Sequence, residues 1–271
     1  VRLQGKSIVI TGASSGIGAA TAIACAREGM RVTLAARRVD KLQAVIDRAV
    51  SQGISRESLH AVSCDVSQQE ACEALIDQAW KQWGTLDVVF ANAGYGQESP
   101  AMKMPDEQLQ AILQTNFWGS LWTIRPAMHA MLAKRSGHVL LCSSCVAKIG
   151  LPMLSAYTMS KAMQDHLGRA LRIELAGTGV HVSTVHPIGT TTEFFDVSAQ
   201  KSPGVAGLFT RTPAMFMQPA EKVAKAVVKC LKKPKGEVWT SLPTRLAFGA
   251  SVMMPSMTDW ILRMKMGRAS A

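Results

Sequence analysis

The sequence predicts an α/β fold in which a doubly wound parallel sheet of about seven strands carries helices on both faces. Three observations support this. Short β-branched runs alternate with longer segments of helical period along most of the chain. The strand candidates are apolar almost throughout, as strands covered on both faces must be. A helical segment separates each from the next, which is the connection that parallel neighbours require. The 271 residues, 48% hydrophobic and only 18% charged, can bury a large core and exclude a disordered chain. No linker, internal repeat or low-complexity tract divides them, so residues 1–271 are expected to form one domain.

The elements follow in order. KSIVIT (6–11) is a run of β-branched residues and is expected as the first strand, and the alanine-rich segment 16–28 as the first helix. RVTLAA (31–36) is the second strand and VDKLQAVIDRAV (39–50) the second helix. LHAVSCD (59–65), a helix over 67–82 and LDVVFAN (86–92) extend the alternation. A long helical region runs from 106 to 134, followed by the strand GHVLLCSS (137–144), a helix over 155–176 and the strand VHVSTVHP (180–187). Residues 188–218 lack a clean period and contain Phe194, Phe195, Phe209 and Phe216. A lysine-studded helix at 219–233, a last strand at 236–240 and an apolar, Met-rich tail at 241–271 complete the chain.

Six cysteines at irregular positions, mostly inside apolar segments, read as reduced packing residues and point to the cytoplasm. The pair Cys142 and Cys145, in LLCSSCVAKIG, would point to opposite faces of a continuing strand, which disfavours a disulfide or a shared metal, and no metal site is expected. No apolar run reaches the ~20 residues of a membrane span. The net charge of +11 calls for an anionic partner, but the basic residues are dispersed and no nucleic-acid recognition motif accompanies them. In the tail, WILRMKMGR (260–268) interleaves apolar residues with Arg263, Lys265 and Arg268, which allows a peripheral membrane contact or cover by a second subunit. Lys222, Lys225, Lys229 and Lys232 recur at helical spacing and read as a solvated face.

TGASSGIG, with Gly12, Gly16 and Gly18, lies between the first strand and the first helix. There, free backbone amides and the positive end of the helix dipole can receive a pyrophosphate. An acidic residue at the end of the second strand would bond a ribose hydroxyl. Instead Arg37 and Arg38 stand there, which favours NADP(H) over NAD(H), with Ser14 able to add a hydroxyl. AYTMSK places Tyr157 and Lys161 four residues apart on one helix face. An ammonium beside a phenol lowers its pKa toward neutrality and fits it for proton transfer.

Taken together, TGASSGIG, ANAG (91–94), Asn116, a serine after the fifth strand and YTMSK resemble, in order and separation, the short-chain dehydrogenase/reductase family over residues 5 to 240. The resemblance implies a Rossmann-type fold and a catalytic tetrad of Asn116, Ser144, Tyr157 and Lys161. In that family the serine precedes the tyrosine by 13 residues, which selects Ser144 over Ser143. Ser144 would bond the substrate oxygen, Tyr157 donate the proton, Lys161 hold the nicotinamide ribose and Asn116 position a water that returns the proton. Further cofactor contacts are implied from Ser15, Ile17, Asp65, Val66, Asn92, Ala93, Gly94, Pro187, Ile188, Thr190 and Thr192. Ile188 stands where the family commonly has glycine.

The resemblance makes 188–218 a substrate lid. Its Phe194, Phe195, Leu208, Phe209, Met215, Phe216 and Met217 favour a lipophilic carbonyl or alcohol such as a steroid, retinoid or acyl lipid. The alternatives are a 3-oxoacyl-thioester reductase and a catalytically silent NADP(H) sensor. A homodimer or homotetramer is implied as well.

Overall fold

The structure, a computed structural model, describes residues 2–202 and 217–266. Its elements are β1 (Ser7–Thr11), α1 (Gly16–Arg27), β2 (Arg31–Ala36), α2 (Val39–Ser51), β3 (Leu59–Ser63), α3 (Gln69–Trp83), β4 (Val88–Ala91), α4 (Asp106–Leu113), α5 (Gly119–Ala133), β5 (Gly137–Cys142), α6 (Ser155–Glu174) and β6 (Val180–His186). They continue with β7 (Gly189–Thr191), α7 (Phe194–Lys201), β8 (Met217–Pro219), α8 (Ala220–Lys232), β9 (Glu237–Trp239), α9 (Leu242–Met253) and α10 (Pro255–Met266).

Seven strands form one parallel sheet in the order β3-β2-β1-β4-β5-β6-β9. Ile8 of β1 pairs with Val32 on one side and with Val88 on the other. Strand alternation divides the core between the two faces of the sheet. Ile8 and Ile10 pack with Met30, Leu34, Leu42 and Phe90 on one face, and Val9 packs with Leu75, Val89, Ile124 and Leu141 on the other. Chain order runs outward in both directions from the β1–β4 boundary. Loops leaving the carboxyl ends of β1 and β4 therefore diverge and leave a crevice between them, the place where this topology accepts ligands.

Several boundaries differ from those the pattern predicts. The helical region from 106 to 134 is α4 and α5 joined by a π turn at Gln114–Trp118, whose wider spacing leaves the hydrophobic period almost undisturbed. β5 stops at Cys142, and Cys145 opens a short 3₁₀ turn, so strand alternation does not apply to that pair; both thiols are nonetheless buried and free. The aperiodic stretch after β6 contains α7 and a small parallel pairing of β7 with β8. Leu208, Phe209, Met215 and Phe216 lie outside the described residues, as does Arg268. The tail contains two helices, α9 and α10. No described helix is long and apolar enough to cross a membrane.

α6 lies close against β6 because Gly168 has no side chain. A Cβ there would stand 2.3 Å from the Thr184 methyl and 3.3 Å from Leu141. Gly168→Ala must therefore push α6 off the sheet and should cost about 1–3 kcal/mol, seen as a lower urea midpoint.

Candidate active site

The turn after β1 is shaped by close backbone approach. A Cβ on Gly18 would lie 2.3 Å from the Gly12 carbonyl oxygen, and one on Gly12, at φ +66°, would lie 2.9 Å from Ala93 Cα. Asn92 ties the turn to β4. Its Nδ2 donates to Thr11 O at 3.0 Å, while Thr11 Oγ1 accepts the Asn92 and Ala93 amides at 3.0 and 3.1 Å. A cavity of about 1230 Å³ opens from this turn. Ser14, Ser15, Gly16, Ile17, Asp65, Val66, Gly94, Pro187, Ile188, Thr190 and Thr192 all line it. Of the predicted site residues, Gly18 and Asn116 alone do not reach the lining and stand behind it.

The two arginines part company. Arg38 donates to Glu193 Oε2 at 2.7 Å and lies 3.4 Å from Ser14 Oγ, and Lys41 bonds the other Glu193 oxygen. Hydrogen bonds from Lys41 and Arg38 hold the Glu193 carboxyl down to about 2. Arg37 leaves a side chain 75% exposed at the cavity, at 4.0 Å from Asp65. Asp65 Oδ1 also accepts from the Ser67 amide and hydroxyl at 3.0 and 2.8 Å. Glu193 was invisible to sequence reasoning because 155 residues separate it from Arg38.

Tyr157, Ser144 and Lys161 converge in the lining of the same cavity. Ser143 Oγ donates to the Lys161 carbonyl at 2.8 Å, whereas Ser144 hydrogen-bonds to Tyr157. Lys161 Nζ lies 5.7 Å from the Tyr157 ring centroid and donates to Cys142 O at 2.8 Å and Gln164 Oε1 at 3.0 Å. Burial pushes the Tyr157 phenol well above its ordinary range, with the Ser144 hydrogen bond pulling the other way. The expected lowering by Lys161 does not prevail. Burial dominates the phenol, and the ammonium, itself pulled down by burial, is directed to the Cys142 carbonyl and Gln164.

Asn116 sits in the π turn between α4 and α5, fully buried. Its Nδ2 donates to Tyr95 O and Ser160 Oγ, both at 2.9 Å, and its Oδ1 accepts the Tyr95 amide at 3.0 Å. Its carbonyl accepts from Gln164 Nε2 at 2.8 Å and Ser120 Oγ at 2.7 Å. Gln164 was not singled out from the sequence. Its signal was a polar residue one helical turn beyond Lys161, on the face that packs inward.

Behind Ser144 lies an ionic network in which Asp165 and His186 are buried and Lys148 and Glu237 partly so. Asp165 Oδ2 accepts from Lys148 Nζ at 2.7 Å, and Lys148 also reaches Glu237 Oε1 at 3.2 Å. Asp165 Oδ1 faces His186 Nε2 at 3.3 Å, and Trp239 stacks on the His186 ring at a centroid distance of 4.5 Å. His186 Nδ1 lies 3.2 Å from Ser144 O, and the Cys145 amide donates to Pro187 O at 3.0 Å. Burial alone would raise Asp165, but the His186 ring facing Oδ1 and the Lys148 hydrogen bond to Oδ2 outweigh it and hold the carboxyl well below its usual range. Donor atoms of Asp165, His186 and Glu237 lie within 4.8 Å of one another, and the Lys148 ammonium already supplies a cation to both carboxylates.

The cavity also has an apolar lining of Leu151, Leu154, Phe194, Phe195, Val197, Phe248, Ile261 and Leu262. The Phe194 ring packs 5.4 Å from Tyr157. Thr190 Oγ1 donates to Ile188 O at 2.8 Å. Thr192 lays its methyl over Gly16, where a Cβ would stand 2.7 Å away.

The short chain dehydrogenase family profile matches residues 6–202. An uncharacterized oxidoreductase of Listeria innocua is 30% identical over 86% of this chain and 93% of its own length. The 3-ketodihydrosphingosine reductase of Bos taurus is 31% identical over 84% of this chain and 68% of its own. A glycine betaine reductase of Emericella nidulans is 32% identical over 86% of this chain, which spans only 18% of that larger protein. Among solved structures, an alcohol dehydrogenase of Thermococcus sibiricus complexed with 5-hydroxy-NADP superposes with a TM-score of 0.74 at 28% identity, covering 86% of this chain and 95% of that one.

The network around Asp165 makes a testable demand. Asp165→Asn leaves the Lys148 charge poorly compensated and should cost about 3 kcal/mol at pH 7. Because the folded carboxyl titrates below the unfolded one, its contribution is complete above the unfolded value of about 4 and fades as pH falls below it. The gap between wild type and Asp165→Asn in urea midpoints should therefore narrow on acidification below about pH 4.

Proposed function

Since the chain belongs to the short-chain dehydrogenase/reductase family, and so is an NAD(P)-dependent oxidoreductase acting on CH–OH groups, we propose that it interconverts a lipophilic carbonyl compound and its alcohol with NADP(H) in preference to NAD(H). The observation that carries the reading is the meeting of Tyr157, Ser144 and Lys161 in the lining of the cavity that the glycine turn also lines. The turn suits a dinucleotide, since a side chain at Gly12 or Gly18 would collide with backbone. Gly12 to Ile17 would hold the pyrophosphate, Asp65 and Val66 the adenine end, and Asn92 to Gly94 with Pro187, Ile188 and Thr192 the nicotinamide end. Thr192, whose hydroxyl accepts the Phe194 amide at 3.2 Å and keeps its proton to donate, is preferred to Thr190, whose hydroxyl already donates to Ile188 O. Arg37 is the better candidate for a 2′-phosphate, because Arg38 is paired with Glu193.

The bound cofactor supplies the hydride. Ser144 orients the substrate oxygen, and Tyr157, kept protonated by burial, gives its proton to that oxygen. Lys161 holds the nicotinamide ribose. Asn116 supports this part of the lining through Tyr95 and Ser160. The apolar lining of the cavity supports a lipophilic substrate, and so does the bovine relative's named activity on 3-ketodihydrosphingosine.

The decisive experiment follows NADPH absorbance with steroid, retinal, acyl-thioester and small aromatic carbonyl compounds. Tyr157→Phe should lower turnover ~10²–10⁴-fold, and Arg37→Ala should weaken NADPH about 10-fold or more while leaving NADH nearly unchanged. Equal losses for both cofactors would sink the assignment of Arg37. NADPH oxidation that survives intact in Tyr157→Phe would sink that of Tyr157.

Two surfaces bear on association. Trp118, Met159, Met163 and Ile173 expose an apolar face near α6, the expected seat of a homodimer or homotetramer. Leu242, Leu246, Met253, Trp260 and Met264 expose another on α9 and α10, where Arg245 and Arg263 add the charge that an anionic lipid surface would attract. Light scattering with and without phosphatidylserine vesicles checks both. The expected result is a dimer or larger that sediments with the vesicles, and Trp260→Ser with Met264→Ser should abolish only the sedimentation.

A further inference from the structure

Gln164 is fully buried, and its side-chain amide joins the elements of the site directly. Its Oε1 accepts from Lys161 Nζ at 3.0 Å, while its Nε2 donates to Asn116 O at 2.8 Å and Ser120 Oγ at 2.6 Å. Ser120 Oγ donates in turn to the same Asn116 carbonyl at 2.7 Å. Ammonium and carbonyl, the two groups that a water held by Asn116 would have to bridge, are thus joined by a carboxamide. A Cβ on Gly94 would lie 2.9 Å from Asn116 Oδ1 and 3.2 Å from Lys161 Nζ, so the Gly94 backbone stands close against both groups.

We infer that Gln164 is a positioning residue of the reaction, anchoring the Lys161 ammonium and closing the route past Asn116 along which a proton would return to Tyr157. The inference rests on the roles proposed above for Tyr157 and Lys161. In reduction the Tyr157 Oη–H bond breaks as its proton passes to the substrate oxygen, and a phenolate remains. An O–H bond to Oη must then form again. A carboxamide holds its N–H bonds as fixed donors and is no acid, so it cannot hand a proton on. Among the ionisable groups near Tyr157, burial raises the Cys142 and Cys145 thiols, Cys145 to about 11, so neither is a ready acid, whereas the Lys161 ammonium, drawn down by burial, is the acid at hand to return a proton to Oη. With the route past Asn116 closed, Lys161 must in turn regain its proton from water in the cavity that it lines.

The test is a double-mutant cycle read as NADPH affinity by fluorescence titration. Gln164→Met keeps the volume and discards both hydrogen-bonding groups. It should weaken NADPH about tenfold in the wild-type background and add nothing in the Lys161→Met background, because both changes act through one ammonium. Equal weakening in the two backgrounds, or none in either, overturns the anchoring role. A second measurement follows turnover of the best carbonyl substrate in H₂O/D₂O mixtures. The wild type should give a straight plot, as for a single proton in flight. Gln164→Ala, which leaves room for water between Lys161 and Asn116, should give a bowed one. A bowed wild-type plot that Gln164→Ala leaves unchanged overturns the closed route. A wild-type protein that binds neither NADPH nor NADH instead overturns the reading on which the inference rests.

Discussion

The buried ammonium of Lys161 is the constraint around which the site is arranged. A charge that is 4% exposed must be met by acceptors on several sides, and each acceptor fixes a different element. Cys142 O marks the carboxyl end of β5, and Gln164 Oε1 belongs to the same face of α6. Through Gln164 the ammonium is also linked to the π turn at Asn116, where the extra residue per turn accompanies a carbonyl that accepts from two side chains. Helix, strand end and turn are thereby held in one register, and Tyr157 inherits its place from them.

α6 meets a second charge four residues further along. Asp165 faces Lys148 and His186, and Lys148 stands in the 3₁₀ turn that begins immediately after Ser144. The turn carrying Ser144 is thus held at its start by His186 and Pro187 and at its end by Asp165 and Glu237. Breaking one partner of such a buried group costs far more than the pair contributes, so the arrangement fixes geometry more than it adds stability. Ser144 and Tyr157 are close because one helix answers two cations, the buried Lys161 and the partly buried Lys148.

Near the glycine turn, Glu193 plays a comparable part. It joins the start of α7 to the turn after β2 through Arg38 and Lys41, and Thr192 beside it covers Gly16. The next residue, Phe194, packs on Tyr157. The glycine turn, the paired arginine and the proposed proton donor are therefore connected over a few residues of one segment.

The sequence by itself determined the parallel sheet, since seven apolar runs separated by helical periods admit few other architectures, and it picked out the glycine turn, Arg37 and the face bearing Tyr157 and Lys161, because those signals lie within one or two helical turns. It also favoured Ser144, which the structure turns toward Tyr157 while Ser143 bonds the Lys161 carbonyl. Only the tertiary structure decided what each charge is paired with. The end of β5 at Cys142, the π turn hidden in a continuous period, the withdrawal of Arg38 by Glu193 and the bridge from Lys161 through Gln164 to Asn116 all join residues distant in sequence. Local patterns report propensity and face. The partner of a buried polar group is chosen by packing across the fold, where desolvation makes every unmet donor or acceptor costly.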